Sequence, residues 1–550
     1  MKKHQLNKVK YYARFRDMID GIVIGNEEKP AISWFTRSGQ EKSVTLGKLR
    51  EDVLCLQEKM IELGLAGKHI AILGENSYEW LVVYFATTYC GAVAVCVDIE
   101  QSNQTIKQML TMTDVDAIFA SKCVEEICFE FAEENKNFFA LYDSASLTSV
   151  YKLIEDGKKI IDSGAANKDI EINIKPEDTA AIVFTSGTTN YSKPVMLSQE
   201  AILTNASDAL ANVSIGKVAF TSLPFYHTYG LTCSVLSMLI GEAHLYINGN
   251  MKTVMRDIQL ASPHTMLTVP LMLETIHTKM WDAIEQNGKT KAFKKLLKIQ
   301  KLLMLMGINK KNNHIVALRE KCFGSIELII CGGAHVDRSI MEELYIMGVM
   351  VVQGYGITEC APLVSVNRNK MNKFDSVGLV SANSEVKIQN GEILVRGKNV
   401  MKGYYNLPEL TEEAMEDGWF KTGDLGEIDK DGFLYITGRK KNLIVFKNGK
   451  KVSPEKLEEA IKKIPLVKDV VVYGAINGSS SDDVQVATTI FPNKEKTAGM
   501  NSYEILEALE IEINKINKEI PLYQQIQMIN IREQEFSKTA INKIKRHLIV

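Results

Sequence analysis

A segment rich in hydroxyl side chains, ending in a lysine, follows a short apolar run. The run is Ala180–Phe184, which predicts a buried strand, and the segment reads Thr185-Ser186-Gly187-Thr188-Thr189-Asn190-Tyr191-Ser192-Lys193. Backbone N–H groups and hydroxyls donate hydrogen bonds to phosphate oxygens, and a lysine supplies a compact positive charge. The segment therefore predicts a phosphate-binding loop. It lacks the Walker spacing, and a plain polar turn is the alternative for any such segment taken alone.

A second segment that could bind a nucleotide is Gln353–Glu359, which reads Q-G-Y-G-I-T-E. It follows an apolar run, and ligands of α/β proteins bind at the carboxyl ends of such strands. A tyrosine ring can stack on a base, and a threonine hydroxyl can donate to phosphate. A glutamate carboxylate is a hard ligand that suits Mg²⁺. Tyr355, Thr358 and Glu359 are therefore candidate nucleotide and metal contacts.

A third segment joins a carboxylate to a tight turn, in Thr422-Gly423-Asp424, with Arg439 following fifteen residues later. A carboxylate held after such a turn can accept hydrogen bonds from both ribose hydroxyls. An arginine nearby can reach phosphate or ribose oxygens. An ordinary hairpin turn is the alternative for this segment in isolation.

Two more segments complete a pattern. Leu223–Leu231 reads L-P-F-Y-H-T-Y-G-L, and Ser537–Arg546 reads S-K-T-A-I-N-K-I-K-R. With the three segments above, in this order and spacing, they resemble the AMP-forming adenylating enzymes, which include acyl-CoA synthetases, peptide-synthetase adenylation domains and luciferases. The resemblance spans about residues 20–548. The run Gly438–Ile444 looks most similar to the long-chain fatty acyl-CoA synthetase branch.

The resemblance implies a role for each matching position. Lys543 corresponds to a mobile catalytic lysine, and Thr358 and Glu359 complete the catalytic set, with Glu359 also the Mg²⁺ ligand. His227 and Tyr226 would line the acyl pocket, with core packing as the alternative for the histidine, and Lys441 would be the hinge. The implied ATP-binding residues are Thr185, Ser186, Gly187, Thr188, Thr189, Lys193, Gly332, Gly333, Ala334, Tyr355, Gly356, Asp424 and Arg439.

Several positions depart from the family pattern. Asn190, Ser192 and Pro194 stand where relatives usually carry Gly, Pro and Gly, and Asn542 stands at another usual Gly position. Proline lacks an N–H donor and has a fixed φ, so the loop is expected to hold phosphate more loosely or to order differently. Amino-acid activators usually carry an aspartate just before the position of His227. This chain has tyrosine there, which favours a carboxylate substrate without an amino group.

The elements that position these residues belong to more than one domain, as expected for 550 residues. Apolar strand-like runs alternate with helical patterns from about Val44 to Val380, which predicts layered α/β sheets. From Gly391 the pattern changes to short strands and tight turns. We expect an AMP-binding N-terminal domain over residues 1–438 and a small, mobile α+β domain over 439–550. Ser453, followed by Pro454, predicts a hydroxyl cap at a helix start in that domain.

Composition and charge bear on the protein's partners and on its cellular compartment. The net charge is −2, which does not favour nucleic acid, and nine cysteines without a C-x-x-C pair suit a reducing cytoplasm. The basic N-terminus has no apolar core after it, so no signal peptide is expected. The uncharged run Trp80–Val97 predicts a helix, a glycine turn and a buried strand rather than a membrane span. Residues 291–306 form a basic amphipathic helix, with a solvated face or a peripheral membrane contact as its two interpretations.

Three functions remain open from the sequence. The first is an ATP- and Mg²⁺-dependent ligase that joins a carboxylic acid, expected to be a medium- or long-chain fatty acid, to CoA through acyl-AMP. The second is an acyl-AMP ligase that loads the phosphopantetheine thiol of a carrier protein. The third is a nucleotide-binding regulator without catalysis, for which Asn190, Pro194 and Asn542 are the only support.

Overall fold

The computed structural model describes most of the chain. The described residues are 6–132, 137–164, 174–185, 192–308, 312–446, 450–476, 484–538 and 544–549.

The strands follow one another from residue 30 to residue 531. In chain order they are β1 (Pro30–Phe35), β2 (Glu41–Thr45), β3 (His69–Leu73), β4 (Val93–Cys96), β5 (Ala117–Ala120), β6 (Asn137–Ala140), β7 (Thr179–Phe184), β8 (Pro194–Ser198), β9 (Val218–Thr221), β10 (His244–Ile247), β11 (Thr265–Thr268), β12 (Leu328–Cys331), β13 (Met350–Gly356), β14 (Leu363–Val366), β15 (Leu379–Val380), β16 (Ser384–Gln389), β17 (Glu392–Gly397), β18 (Gly403–Tyr404), β19 (Met415–Glu416), β20 (Trp419–Ile428), β21 (Leu434–Arg439), β22 (Ile444–Val445), β23 (Lys451–Val452), β24 (Val467–Ile476), β25 (Val484–Pro492) and β26 (Met528–Ile531).

The helices are interleaved with these strands. They are α1 (Phe15–Val23), α2 (Leu46–Glu62), α3 (Tyr78–Tyr89), α4 (Asn103–Met112), α5 (Glu125–Ala132), α6 (Val150–Asp162), α7 (Gln199–Asn212), α8 (Ser237–Ile240), α9 (Val254–Ala261), α10 (Pro270–Gln286), α11 (Thr290–Leu305), α12 (Asn313–Phe323), α13 (Arg338–Met347), α14 (Pro408–Ala414), α15 (Pro454–Lys462) and α16 (Ser502–Lys518). A π-helix, Tyr229–Leu236, leads into α8, and the turns Thr358–Cys360 and Lys440–Asn442 are 3₁₀ helices.

Two large sheets form the body of the chain. The first has the order β15-β14-β13-β12-β11-β9-β10-β1-β2 and is parallel from β13 to β1. The second has the order β18-β8-β7-β4-β3-β5-β6 and is parallel from β7 to β6. Parallel strands are covered on both faces, which explains why these short strands are almost entirely apolar. The loops that leave their carboxyl ends are therefore free to build a site.

The uncharged run Trp80–Val97 folds as the sequence predicts. Most of it forms α3, in which every residue except Glu79 is buried, and the chain then turns at Gly91 with φ of 68° and enters β4. A positive φ of this size suits glycine because it has no Cβ. In the described residues, no helix has both the length and the apolar character needed to cross a bilayer.

The last part of the chain forms a smaller α+β unit with a core of its own. An antiparallel sheet of β16, β17, β20, β19 and β21 precedes it, and β24, β25 and β26 form its sheet. Side chains of α15 and α16, including Ile461 and Ile513, are buried against that sheet. The predicted fold class, a large α/β domain followed by a smaller α+β domain, is confirmed. The exact domain boundary at residue 438 stays a prediction.

One local expectation in this unit is wrong. Ser453 precedes α15 as predicted, but its hydroxyl makes no cap to the helix. It donates instead to the Thr437 carbonyl at 2.8 Å and to the Glu455 carboxylate at 2.7 Å. The hydroxyl therefore ties the helix start to β21, which contains Thr437.

Candidate active site

A cavity of about 650 Å³ opens at the carboxyl ends of β7, β11, β12 and β13. It brings together residues from segments that are far apart in the sequence. The predicted site residues on its wall are Thr185, Lys193, His227, Gly332, Gly333, Tyr355, Gly356, Thr358, Glu359, Arg439 and Lys441.

The base of the hydroxyl-rich segment is closed by two hydrogen bonds. The Thr185 N–H donates to the Lys193 carbonyl at 3.1 Å, and the Lys193 N–H donates to the Thr185 hydroxyl at 3.2 Å. The Lys193 ammonium lies 4.7 Å from the centre of the Tyr404 ring, which is a favourable cation–π distance. The segment thus leaves and re-enters the sheet at one point, with its lysine held at the cavity.

Glu359 is fixed by contacts at its backbone and at its side chain. Its carbonyl accepts from the Met401 N–H at 2.8 Å, and its Oε1 accepts from the Tyr404 hydroxyl at 2.9 Å. The turn after it is held by Asn205, whose amide bonds the Leu363 N–H and carbonyl. A buried amide with several satisfied bonds is a rigid support. Glu359 is therefore held at the cavity wall, where Tyr404 contacts both it and Lys193.

Tyr404 contacts both Glu359 and Lys193, and the sequence did not predict this role. It reaches the cavity because β18 pairs with β8, which sets Tyr404 opposite Val195, two residues after Lys193. Its only signal in the sequence is a pair of tyrosines after Gly403, and that pattern by itself specifies nothing.

Asp424 binds two other predicted site residues. Its Oδ1 accepts from Arg439 Nε at 2.7 Å, and its Oδ2 accepts from the Tyr355 hydroxyl at 2.7 Å. Burial, followed by the Asp424 charge, raises the pKa of Tyr355 well above its ordinary value. The phenol therefore stays protonated and donates. Burial alone would lower the pKa of Arg439, but Asp424 more than offsets it, so the guanidinium stays charged.

A buried carboxylate, Glu392, was also missed. It is 7% exposed, accepts from the Gly423 N–H at 3.1 Å and pairs with Lys440 Nζ at 2.6 Å. It thus connects the turn before Asp424 to the residue before Lys441. Loss of solvation, with repulsion from Arg439 and Lys193, lowers the pKa of Lys441. Lys441 is therefore close to the charged groups of the cavity.

His227 and Tyr229 form the other wall. Burial lowers the pKa of His227, so the imidazole is neutral, and within the described chain its Nε2 has no hydrogen-bond partner. The Tyr229 hydroxyl donates to the Thr268 and Ile330 carbonyls at 3.2 and 3.0 Å. A Cβ at position 332 would lie 3.1 Å from the Tyr229 ring, so Gly332 allows this close packing.

Some predicted residues lie elsewhere. The cavity wall, as far as the structure describes it, does not include Tyr226, Ala334 or the Asp424 carboxylate. Tyr226 is buried and hydrogen bonded to Asp98, and Ala334 is exposed. Asp424 bonds Arg439 and Tyr355, which line the cavity in its place. Outside the described residues are Ser186, Gly187, Thr188, Thr189, Asn190, Asn542 and Lys543.

The site fits a Mg²⁺ ion that is carried largely by its substrate. In the described residues there is no group of three or more acidic, histidine or cysteine side chains that could hold a metal by themselves. Mg²⁺ often uses only one or two carboxylates together with phosphates and water. A single carboxylate at Glu359, which shares its Tyr404 contact with Lys193 of the hydroxyl-rich segment, is consistent with that chemistry.

Family models match along nearly the whole chain. A model described as AMP-binding enzyme matches residues 23–405, and one described as AMP-binding enzyme C-terminal domain matches residues 441–550. A long-chain-fatty-acid–CoA ligase of Escherichia coli is 27% identical, with 86% of this chain and 85% of that protein covered. Long-chain-fatty-acid–CoA ligase FadD15 of Mycobacterium bovis is 24% identical, with 92% and 90% covered.

A solved structure shares the fold. The anthranilate CoA ligase AuaEII in complex with anthranoyl-AMP superposes with a TM-score of 0.77 at 16% identity, with 98% of this chain and 96% of that chain covered. The chain therefore belongs to the AMP-binding enzyme family. Within it, the chain is an AMP-forming acid–CoA ligase, a class whose typical substrates are ATP and CoA and whose typical cofactor is Mg²⁺.

Proposed function

We propose that the chain converts a medium- or long-chain fatty acid to acyl-AMP and then to acyl-CoA. The observation that carries this proposal is the course of the cavity. From the carboxyl ends of the strands it continues to the last turn of α7, the segment that leads to β9, and helix α8. A cavity that extends beyond the loops at the strand ends into a space between helices suits an extended acyl chain.

The far end of the cavity is apolar. It is lined by Leu210, Val213, Ile215 and Met238, together with Ser237. The Ser237 hydroxyl is satisfied by the Ala206 and Thr232 carbonyls, each at 3.0 Å, so it offers no free donor to a ligand. Burial of methylene groups here is favourable because it removes apolar surface from water.

The first half-reaction joins the acid to AMP. The carboxylate oxygen attacks the α-phosphorus of ATP, and the bond to the β-phosphate oxygen breaks to release pyrophosphate. Arg439, oriented by its bond to Asp424, is proposed to hold the ribose, and Tyr355 the adenine side. Lys193, Thr358 and Lys543 would offset negative charge that accumulates on the transferring phosphate. Bound Mg²⁺ would add charge neutralisation, with Glu359 as its protein ligand.

The second half-reaction transfers the acyl group to a thiol. The sulfur of CoA attacks the acyl carbonyl carbon, the bond to AMP breaks, and the thiol proton is released. We propose that the C-terminal domain turns about Lys441 between the two steps, which removes Lys543 and admits the thiol. The ion pair between Lys440 and Glu392 lies beside this hinge and would hold the conformation described here.

Product analysis tests this function. Purified protein is incubated with Mg-ATP and a series of fatty and aryl acids, with and without CoA, and products are identified by mass spectrometry. We expect acyl-CoA and AMP, with fatty acids preferred over aryl acids. Acyl-AMP that accumulates whether or not CoA is present would contradict CoA as the acceptor and indicate a carrier protein. Absence of AMP with every acid would contradict catalysis.

The end of the acyl cavity offers a sharper test, because Met238 is 1% exposed and lines it. Met238→Phe is expected to lower kcat/KM for long acids relative to short ones by at least about tenfold, since a filled pocket excludes terminal methylenes. Met238→Ala should shift the preference the opposite way. Activity with a short acid and thermal unfolding serve as controls. Equal losses for all chain lengths in both variants would contradict this position for the acyl chain.

A further inference from the structure

Helix α11 has a buried face and an exposed face of different character. Phe293 packs against Trp281 with ring centroids 5.5 Å apart, and Leu297 is 6% exposed. On the same face, the Gln300 side chain accepts from the Asn312 N–H at 3.0 Å. These residues, three and four positions apart, fix which side of the helix faces outward.

The outward face carries lysines and then leucines. Lys291, Lys295, Lys298, Leu302 and Leu305 are separated by four, three, four and three residues, and all are exposed. This spacing places them in one stripe along the helix. The stripe is therefore basic over the first part of α11 and apolar over its last turn.

The apolar end is a compact surface that we call the α11 tip. Its members and exposed fractions are Ile299 at 46%, Leu302 at 57%, Leu305 at 78%, Met306 at 57% and Ile308 at 45%. Single exposed apolar residues are ordinary on protein surfaces, but a contiguous group of this kind marks an interaction site.

The lysines next to the tip are available for a partner. Lys294 lies 5.7 Å from the Trp281 ring and Lys301 pairs with Glu342 at 3.0 Å. Within the part of the chain that the structure describes, no ion pair engages Lys291, Lys295 or Lys298. Among the described residues, no neighbouring carboxylate therefore pairs with these three lysines.

We propose that the α11 tip docks the protein on the surface of an anionic phospholipid bilayer. Apolar side chains beside a row of lysines match both layers of such a surface, because the tip can enter the acyl boundary while the lysines reach the phosphate headgroups. A protein partner would need acidic and apolar groups in one particular arrangement, whereas a bilayer supplies both over its whole area. The docking surface does not depend on which acid the enzyme activates.

Vesicle flotation tests this proposal with the full chain. The probes are vesicles of phosphatidylcholine alone and of phosphatidylcholine mixed with phosphatidylglycerol. The expected result is binding to the mixed vesicles only, with loss when salt is raised from about 0.1 M to about 1 M, which shortens the Debye length from about 10 Å to about 3 Å.

Two double variants separate the apolar and basic contributions. Leu302→Ser with Leu305→Ser, and Lys295→Glu with Lys298→Glu, should each reduce vesicle binding at least about tenfold while ligase activity with a soluble short acid is kept. Leu522→Ser is the matched control, because Leu522 is 81% exposed in the C-terminal unit. It should bind as the unchanged chain does.

Three outcomes would overturn the proposal. The first is absence of binding to mixed vesicles. The second is equal binding by the leucine double variant and the Leu522→Ser control. The third is a concentration-dependent dimer, measured by sedimentation without vesicles, that the leucine variant abolishes while no vesicle binding occurs. That result would assign the tip to a second copy of the chain.

Discussion

Replacing Lys543 by alanine is expected to lower the rate of acyl-AMP formation by roughly two to three orders of magnitude, the usual effect of removing one group that stabilises transition-state charge. Transfer of the acyl group from supplied acyl-AMP to CoA should stay close to the unchanged rate, because the proposed role of this lysine is confined to attack on the α-phosphorus. The two half-reactions are measured separately, by pyrophosphate release and by acyl-CoA formation.

The residues on both sides of the segment 539–543 are firmly anchored. Lys538 Nζ pairs with Asp469 at 2.7 Å, with both side chains largely buried, and Arg546 pairs with Glu458. The Lys545 N–H also donates to the Ser537 carbonyl at 2.8 Å. Burial raises the pKa of Glu458 to about 7, although Arg546 opposes that rise.

The anchors make Lys545→Ala a close control. Its backbone bond is unaffected, and it removes the same charge two residues away. It should leave both half-reactions within about threefold of the unchanged protein, because the half-buried Lys545 side chain has no proposed contact with the reacting groups. The assigned role would be contradicted if Lys543→Ala slowed both half-reactions equally. It would also be contradicted if Lys545→Ala slowed acyl-AMP formation as much as Lys543→Ala does.

Glu359→Gln is expected to lower acyl-AMP formation by about two orders of magnitude or more. The amide keeps the Oε1 acceptor that the Tyr404 hydroxyl uses at 2.9 Å, so the side chain should keep its place. What is lost is the negative charge that would ligate Mg²⁺. The concentration of Mg²⁺ that gives half-maximal rate should therefore rise, and this is the measurement that distinguishes a metal ligand from a structural residue.

Tyr404→Phe is the matched control for this prediction. It removes the hydroxyl that bonds Glu359 but keeps the ring beside Lys193 and keeps the carboxylate. We expect a smaller loss of rate and no change in the Mg²⁺ dependence. A Glu359→Gln variant with near-normal activity, or a Tyr404→Phe variant that reproduces its Mg²⁺ shift, would show that Glu359 does not act on the metal.

Much of the fold could be predicted because its strands are short apolar runs next to distinctive loops. The apolar run Ala180–Phe184 became β7, the run Trp80–Val97 became most of α3 and β4, and α11 begins and ends within one residue of its expected bounds. The order of strands in each sheet could not be predicted. Neighbours such as β9 and β11, or β7 and β4, are brought together by contacts between distant residues and not by local pattern.

The course of the acyl cavity was likewise not predictable. Leu210, Ile215 and Met238 are ordinary apolar residues in helical or connecting segments, and their sequence does not distinguish pocket from core. Tyr226 illustrates the difficulty, since it directly precedes His227 yet is buried against Asp98 while His227 lines the cavity. Which of two adjacent side chains faces a cavity depends on the path of the backbone.

The sequence by itself determined the chemical inventory of this protein: a hydroxyl-rich segment with a lysine, a tyrosine, threonine and glutamate after β13, and an aspartate with an arginine after a tight turn. Those groups are chemically specific, and their order along the chain is enough to assign the family. Only the tertiary structure decided which of them act together. Tyr404 bonds Glu359, which lies 45 residues earlier in the sequence, and Lys440 pairs with Glu392, which lies 48 residues earlier. Tertiary packing brings each pair together, and no local sequence pattern predicts such a contact.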